Sequence, residues 1–264
     1  MKPQYPKELR KNYYLVFIIV IVLSIGAMLL YGTITSKNVN ESVKETEPVH
    51  QNVLCYGDSN TWGYDPDSRG MYPYEKHWTT ILSQKLGDQY TVLAEGEVGR
   101  MTKYGWEDSA YLNGVGELPV VIGTHFPLDI VILMLGTNDC LRNDLYGISA
   151  DDIQDGMEQL INITNDRCQY FQGYKPKIII VVPGAIRPRE EIRDPGPDVT
   201  DEAVRLSHEI APKYKELARK HHCAFIDGSD TFEVSDLDGV HLTEQGNQTV
   251  AEAVYEVINS LPAE

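Results

Sequence analysis

The chain has 264 residues, of which 42% are hydrophobic. This is enough for one domain of about 200 residues with an additional segment, and too few for two full-size domains. It carries 39 acidic and 23 basic residues, for a net charge of −16. Because binding to nucleic acid or anionic lipid headgroups needs clustered Lys and Arg, this balance argues against both as partners.

The first element in chain order is an uncharged apolar run at residues 13–32, YYLVFIIVIVLSIGAMLLYG. It is about as long as a helix that crosses the ~30 Å hydrocarbon core of a bilayer, so it predicts one transmembrane helix. A cleaved signal peptide is the alternative reading. The run exceeds the usual ~7–15 apolar residues of a signal peptide, however, and no A-x-A-like site follows it.

The flanks of this run predict its orientation. Four basic residues precede it in the segment 1–12, whereas only Lys37 and Lys44 follow closely. The more basic flank of a transmembrane helix tends to stay in the cytoplasm. We therefore expect a cytoplasmic tail at 1–12, a single pass through the cell membrane, and the bulk of the chain on the extracytoplasmic side.

Residues 33–50 are polar, rich in Ser and Thr, and lack apolar periodicity, as is typical of a flexible stalk. One folded domain is expected over residues 51–264.

The four cysteines are widely spaced and none belongs to a C-x-x-C pair, which gives no support for a zinc or thioredoxin-type site. Cys55 and Cys223 lie in strand-like apolar runs, so we expect buried thiols there, although three pairings of the four cysteines stay open.

Within the domain, short apolar runs alternate with helical patterns. Continuous β-branched runs suit strands that are buried on both faces, as in a parallel sheet. The predicted strands are 52–57, 90–95, 129–135, 177–183 and 223–227, and the predicted helices are 75–87, 149–172, 201–222 and 243–260. This alternation predicts a three-layer α/β/α fold around a five-stranded parallel sheet.

Four polar turns, each with at least one glycine, follow predicted strands or lie near the end of the chain. They are GDSN at 57–60, GEVGR at 96–100, GTND at 136–139 and DGVH at 238–241. Any one of them is more often structural than catalytic, because Gly, Asp, Ser and Asn are common in turns and helix caps. Ligands of such sheets bind at the carboxyl ends of the strands, so we expect the four turns to converge there.

Together these turns contain the parts of a serine hydrolase. A serine hydroxyl needs a base, and an imidazole base needs a carboxylate that fixes its tautomer. Ser59, His241 and Asp238 supply these groups, and the backbone N–H of Ser59, the N–H of Gly99 and the amide of Asn138 can bind an oxyanion. The α/β-hydrolases share the order Ser, Asp, His, but they carry G-x-S-x-G, which YGDSN lacks.

Four blocks of this sequence resemble those of the SGNH, or GDSL-type, hydrolase superfamily. They are GDSNTWG at 57–63, GRMT at 99–102, GTND at 136–139 and DGVHLT at 238–243. The resemblance implies a flavodoxin-like fold with strand order 2-1-3-4-5. It also implies that Ser59 is the nucleophile, His241 the base and Asp238 its orienting carboxylate, with the oxyanion hole formed by Ser59, Gly99 and Asn138.

The finer features look most like the aryl-esterase and acyltransferase branch of this superfamily. Trp62, after GDSNT, carries part of that likeness and is a candidate for substrate binding. The Pro-rich, charged segment 183–198 does not map onto the family pattern, and a loop of this kind above the strand ends can shape the acyl or alcohol pocket. No histidine pair has a metal-ligand spacing, so we expect neither a metal nor a cofactor.

Three functions are compatible with the sequence. The first is a membrane-anchored extracytoplasmic serine esterase that passes short acyl groups, acetyl above all, from Ser59 to water or to another alcohol. The second keeps this chemistry and removes O-acetyl groups from cell-envelope or dietary polysaccharide. The third is a catalytically silent surface binding module with the same fold.

Overall fold

The computed structural model describes residues 50–105, 109–196 and 198–262. The predicted cytoplasmic tail, the transmembrane helix at 13–32 and the stalk up to residue 49 lie outside these ranges. Within the described ranges, no helix has the length and apolar character that spanning a membrane requires.

A five-stranded parallel sheet forms the centre of the domain. Its strands are β1 (Gln51–Gly57), β2 (Tyr90–Gly96), β3 (Ile130–Met134), β4 (Lys177–Val182) and β5 (Ala224–Asp227). They lie in the order β2-β1-β3-β4-β5, and each neighbouring pair is parallel. The predicted strands and the order 2-1-3-4-5 are thereby confirmed. In the register Gly57 lies opposite Gly96 and Met134, so the turns that follow β1, β2 and β3 begin at the same edge.

Helices cover both faces of the sheet. They are α1 (Ser59–Trp62), α2 (Trp78–Leu86), α3 (Gly114–His125), α4 (Thr137–Leu141), α5 (Asn143–Tyr146), α6 (Ala150–Gln172), α7 (Asp201–His221) and α8 (Glu244–Ser260). Short 3₁₀ turns occupy Tyr74–Lys76, Ala110–Leu112 and Arg189–Glu191, and a small antiparallel ribbon pairs Tyr64–Asp65 with Gly70–Met71.

The bounds of three predicted helices agree with α6, α7 and α8 within one residue. The prediction of 75–87 begins too early, because a 3₁₀ turn and the extended His77 precede Trp78, where α2 starts. Helices α3, α4 and α5 were not predicted.

Alternate residues of each strand face opposite sides of the sheet, and each side has its own core. Leu54 and Tyr56 of β1 pack in one apolar cluster with residues of α3, α6 and α7. Val53 and Cys55 pack in the other with residues of α2 and α8. The predicted three-layer α/β/α architecture is thereby confirmed.

The four cysteines are all free. Cys55 is buried, as predicted, and so are Cys140 and Cys168. The predicted burial of Cys223 is wrong: it is only partly buried, because it precedes β5 at the edge of the sheet.

Candidate active site

Ser59 is the first residue of α1 and follows the end of β1 by two positions. Asp58 caps the helix, since its side chain accepts a hydrogen bond from the backbone N–H of Asn60 at 2.9 Å. The first N–H groups of a helix have no acceptor within the helix, so the N–H of Ser59 can be offered to a substrate oxygen. The same residue thus begins a helix and presents a hydroxyl at the sheet edge.

The backbone of α1 passes very close to the end of β2. A Cβ added at Gly96 would lie 2.1 Å from the backbone nitrogen of Trp62. Real Cβ atoms do not come this near to another backbone, so glycine is required at this position for α1 to pack here. The GEVGR turn therefore starts directly beside the helix that carries Ser59.

The structure brings Ser59, His241 and Asp238 together. His241 Nε2 lies 2.9 Å from Ser59 Oγ, and His241 Nδ1 lies 2.7 Å from Asp238 Oδ2. The two bonds place the imidazole between a hydroxyl and a carboxylate that lie 179 positions apart in the chain, as a serine–histidine–aspartate triad requires.

Asp238 is kept ionised by its surroundings. Burial alone pushes the pKa of its carboxyl upward, but hydrogen bonds from His241 and from the backbone N–H groups of Val240 and His241 outweigh it, so the pKa is lowered. A carboxylate at Nδ1 holds the proton on that nitrogen. Nε2 is then the nitrogen that can accept the proton of Ser59.

The ring of Tyr64 packs on the imidazole of His241. Their centroids are 4.1 Å apart and the planes are inclined by 33°. Tyr64 comes from the ribbon that directly follows α1, so the segment that begins with Ser59 also covers one face of His241. This contact was missed from the sequence, where nothing marks Tyr64 as a neighbour of a residue so far along the chain.

The other predicted oxyanion donors lie on a turn, which carries Gly99, and on helix α4, which carries Asn138; the two segments are hydrogen-bonded to each other. Gly99 has φ +85°, in the left-handed region that favours glycine, within a turn closed by the N–H of Arg100 and the carbonyl of Glu97. Asn138 in α4 donates from its amide to the carbonyl of Arg100 at 3.1 Å. The structure therefore brings Asn138 beside the turn that contains Gly99.

Arg100 connects this turn to the strand that precedes Ser59. Its guanidinium donates to the carbonyls of Gly57 at 2.8 Å and Glu95 at 2.6 Å, and lies over the ring of Tyr56. The backbone N–H of Glu97 also donates to the carbonyl of Gly57. The segments that carry Ser59, Gly99 and Asn138 are thus held together by direct hydrogen bonds.

Two buried aspartates support the same region. Asp139 accepts hydrogen bonds from the N–H and hydroxyl of Thr102, which follows the Gly99 turn, and Asp58 caps α1. Burial raises the pKa of Asp58 to about 6 and that of Asp139 to about 7. Their contacts are those of structural supports, as expected for acidic residues in turns.

The segment 183–198 packs against the loop that carries Asp238. The backbone N–H of Arg187 donates to the carbonyl of Gly239, and the N–H groups of Arg193 and Asp194 donate to the carbonyls of Asp236 and Leu237. The contacts of this segment support the Asp238 loop, and its expected role in shaping a pocket stays a prediction. Trp62 is half-buried at the end of α1, and its expected role in substrate binding also stays a prediction.

Residues 55–249 match the model of the GDSL-like lipase/acylhydrolase family. Among solved structures, a carbohydrate acetylesterase family member from Sinorhizobium meliloti is 33% identical, with a TM-score of 0.71 over 80% of this chain and 98% of that chain. Est24, a carbohydrate acetylesterase from the same organism, is 32% identical, with a TM-score of 0.72 over 80% and 100%. The aryl esterase of M. smegmatis is 31% identical, with a TM-score of 0.73 over 80% and 100%.

The comparison with curated proteins finds no match. The family model nevertheless covers most of the chain, and the similar structures extend over four fifths of it. The chain therefore belongs to the GDSL-like lipase/acylhydrolase family, within the SGNH hydrolase superfamily, and is a serine hydrolase.

Proposed function

We propose that this protein is an esterase that moves short acyl groups, acetyl above all, from an ester to water or to another alcohol through an acyl-enzyme on Ser59. The observation that carries this proposal is the pair of hydrogen bonds that joins Ser59 to His241 and His241 to Asp238. A complete triad of this kind also argues against a catalytically silent binding module.

In the first half of the reaction, Ser59 Oγ attacks the ester carbonyl carbon while His241 Nε2 takes the hydroxyl proton. The tetrahedral intermediate then collapses, the bond to the alcohol oxygen breaks, and His241 returns the proton to that oxygen. In the second half, water or an acceptor alcohol loses a proton to His241 and attacks the acyl-enzyme. Ser59 leaves and regains the proton, while Asp238 stabilises the imidazolium in both halves.

The oxyanion of each intermediate is bound by the N–H of Ser59, the N–H of Gly99 and the side-chain amide of Asn138. Removing one such donor typically costs about 3 kcal/mol of transition-state stabilisation. Asn138 already donates to the carbonyl of Arg100. Because a side-chain amide carries two hydrogens, the second remains for the substrate oxygen.

A second candidate function is the removal of O-acetyl groups from polysaccharide. Two of the similar solved structures are carbohydrate acetylesterases, at 33% and 32% identity. An extracytoplasmic domain would meet cell-envelope or dietary polysaccharide, so the expected topology is compatible with this substrate class.

We also propose that the enzyme is anchored in the cell membrane by residues 13–32, with residues 1–12 in the cytoplasm and the hydrolase domain outside. The support is the uncharged run and its basic N-terminal flank. Protease added to intact cells should digest the hydrolase domain, and the protein should leave the membrane fraction only with detergent. Protection of the domain in intact cells would contradict the orientation.

The function is tested with the full-length chain in detergent, beside the variant Ser59→Ala. The substrates are p-nitrophenyl esters of increasing acyl length and a panel of acetylated glycans. We expect the acetyl ester to be hydrolysed fastest and the S59A variant to lose about 10³-fold or more of kcat. Wild-type rates in S59A would contradict the mechanism, and absence of acetate release from every glycan would count against the second candidate.

A further inference from the structure

The side chain of Asn60 joins the helix of Ser59 to the backbone of the His241 loop. Asn60 Oδ1 accepts a hydrogen bond from the backbone N–H of Leu242 at 2.9 Å, and both residues are buried. This bond lies one residue beyond the Ser59–His241 contact on both segments, so two adjacent bonds connect α1 to this loop.

The bond between Asn60 and Leu242 is one of two hydrogen bonds that hold the peptide group between His241 and Leu242 in place. The carbonyl of His241 accepts a hydrogen bond from the N–H of Ser235 at 2.7 Å, while the N–H of Leu242 is donated to Asn60. These are the two polar ends of the planar unit between His241 and Leu242. Because the Cα of His241 is one corner of that plane, the two bonds determine where its imidazole begins.

Asn60 is itself held in place at its backbone. Its N–H donates to Asp58 Oδ1 at 2.9 Å in the cap of α1. The side chain therefore extends from the same turn that sets the position of Ser59. Because Asn60 Oδ1 binds the His241 loop from this turn, the position of His241 depends on the position of Ser59.

We propose that Asn60 is a positioning residue for His241, an inference that rests on the proposed roles of Ser59 and His241. Without the acceptor, the buried N–H of Leu242 has no partner, and burial of an unpaired donor is unfavourable. The loop then shifts toward another acceptor or toward water and carries Nε2 away from Ser59. A displacement of about 1 Å in a catalytic group can lower the rate by roughly 100-fold.

A residue that only stabilises the fold would affect activity differently, and Asn247 supplies a matched control. Asn247 is also buried, and its Oδ1 accepts the backbone N–H of Trp78 at 3.1 Å while its amide donates to the carbonyl of Thr243. Like Asn60, Asn247 accepts a hydrogen bond from a backbone N–H that is distant in the chain. That N–H belongs to Trp78 in α2, whereas Asn60 binds the N–H of Leu242 beside His241.

The experiment compares full-length wild type with the variants Asn60→Leu, Asn60→Asp, Asn247→Leu and Ser59→Ala. The measurements are kcat and KM for p-nitrophenyl acetate, the rate of labelling by a serine-directed phosphonate, and the thermal unfolding midpoint. We expect N60L to lower kcat and the labelling rate by about 10- to 100-fold, with KM within about twofold. N60D keeps an oxygen acceptor and is expected to recover most of this loss.

N247L is expected to lower the unfolding midpoint about as much as N60L does while keeping most of its kcat. Three results would overturn the inference: N60L with nearly wild-type kcat, N247L with a loss of kcat equal to that of N60L, or N60D as slow as N60L. N60D also serves if N60L does not fold. Failure of the proposed function gives a different result, since S59A would then retain activity whatever the variants of Asn60 do.

Discussion

Asp238 Oδ2 lies 2.7 Å from His241 Nδ1, and Asp238 Oδ1 accepts the backbone N–H groups of Val240 and His241. One carboxylate thus shapes the loop and orients the imidazole that the loop carries. Removing its charge should affect the base directly, because an amide can donate to Nδ1 and so favour the wrong tautomer.

We therefore expect Asp238→Asn to lower kcat for p-nitrophenyl acetate by about 10³- to 10⁴-fold, with a much smaller change in KM. The matched control is Asp236→Asn, two residues earlier, which loses only an exposed ion pair with Arg193. Exposed pairs contribute about 0–1 kcal/mol, so D236N should stay close to wild type. A D238N variant with more than a tenth of wild-type kcat would contradict the role of Asp238.

Asn138 donates to the carbonyl of Arg100 and is the proposed side-chain donor of the oxyanion hole. We expect Asn138→Ala to lower kcat by about 10²- to 10³-fold, since this donor acts mainly in the transition state. Steady-state kinetics measures the effect, and the urea midpoint shows whether the fold is retained. A variant in which KM rises while kcat is unchanged would assign Asn138 to ground-state binding instead.

Gly96 is the contact point between β2 and α1, where an added Cβ would lie 2.1 Å from the backbone nitrogen of Trp62. We expect Gly96→Ala to lower the free energy of unfolding by about 1–3 kcal/mol or more, and to displace α1 and its Ser59. The control is Gly70→Ala, whose Cβ would meet only Ser68 Oγ, at 3.5 Å. Urea unfolding with equal losses in the two variants would contradict this packing argument.

The stability of the domain should depend on pH through Asp139 and Asp58. Burial raises the pKa of Asp139 to about 7 and that of Asp58 to about 6, so between pH 4 and 7 the folded state holds protons that the unfolded state has released. Stability should therefore fall as pH rises through this window. Acidic groups whose pKa is lowered in the folded state, such as Asp238, make stability rise with pH, but they do so only below about pH 5.

One pKa unit corresponds to about 1.4 kcal/mol, so urea unfolding should show a loss of more than about 1 kcal/mol between pH 5 and 8. In Asp139→Asn the slope should be smaller, although the variant has an NH2 group in place of one of the two oxygens that accept from the N–H of Thr102 and is less stable throughout. A slope that is equal in D139N and wild type would exclude Asp139 as its source.

The sequence was most informative where local pattern decides the structure. Runs such as KIIIVV in β4 are buried on both faces, so continuous apolar residues identify them. Helix α3 was missed because it contains Pro119 and begins GVG, and these residues have low helix propensity. The Asn113 cap, a local bond to the N–H of Gly116, and the apolar contacts of α3 with the core offset that disadvantage, and the core contacts depend on tertiary structure.

Within the candidate site, the sequence predicted the residue types with recognised chemistry but not the contacts of Asn60 and Tyr64. Ser59, Asp238 and His241 stand in motifs, whereas Asn60 and Tyr64 act through contacts with residues about 180 positions away. In the sequence, the asparagine that follows Ser59 can be explained by the start of a helix alone, where asparagine is common. Only the folded chain shows that Asn60 accepts the N–H of Leu242.

We propose that catalysis passes through an acyl group on Ser59. This proposal is tested most directly by mixing the full-length protein with p-nitrophenyl acetate, quenching in acid after short times, and locating the added mass by peptide mass spectrometry. We expect one acetyl group on the peptide that contains Ser59, which disappears as the ester is consumed and is absent from Ser59→Ala. Ester hydrolysis at the wild-type rate by S59A, or an acetyl group that turns over on another residue, would contradict an acyl-enzyme on Ser59.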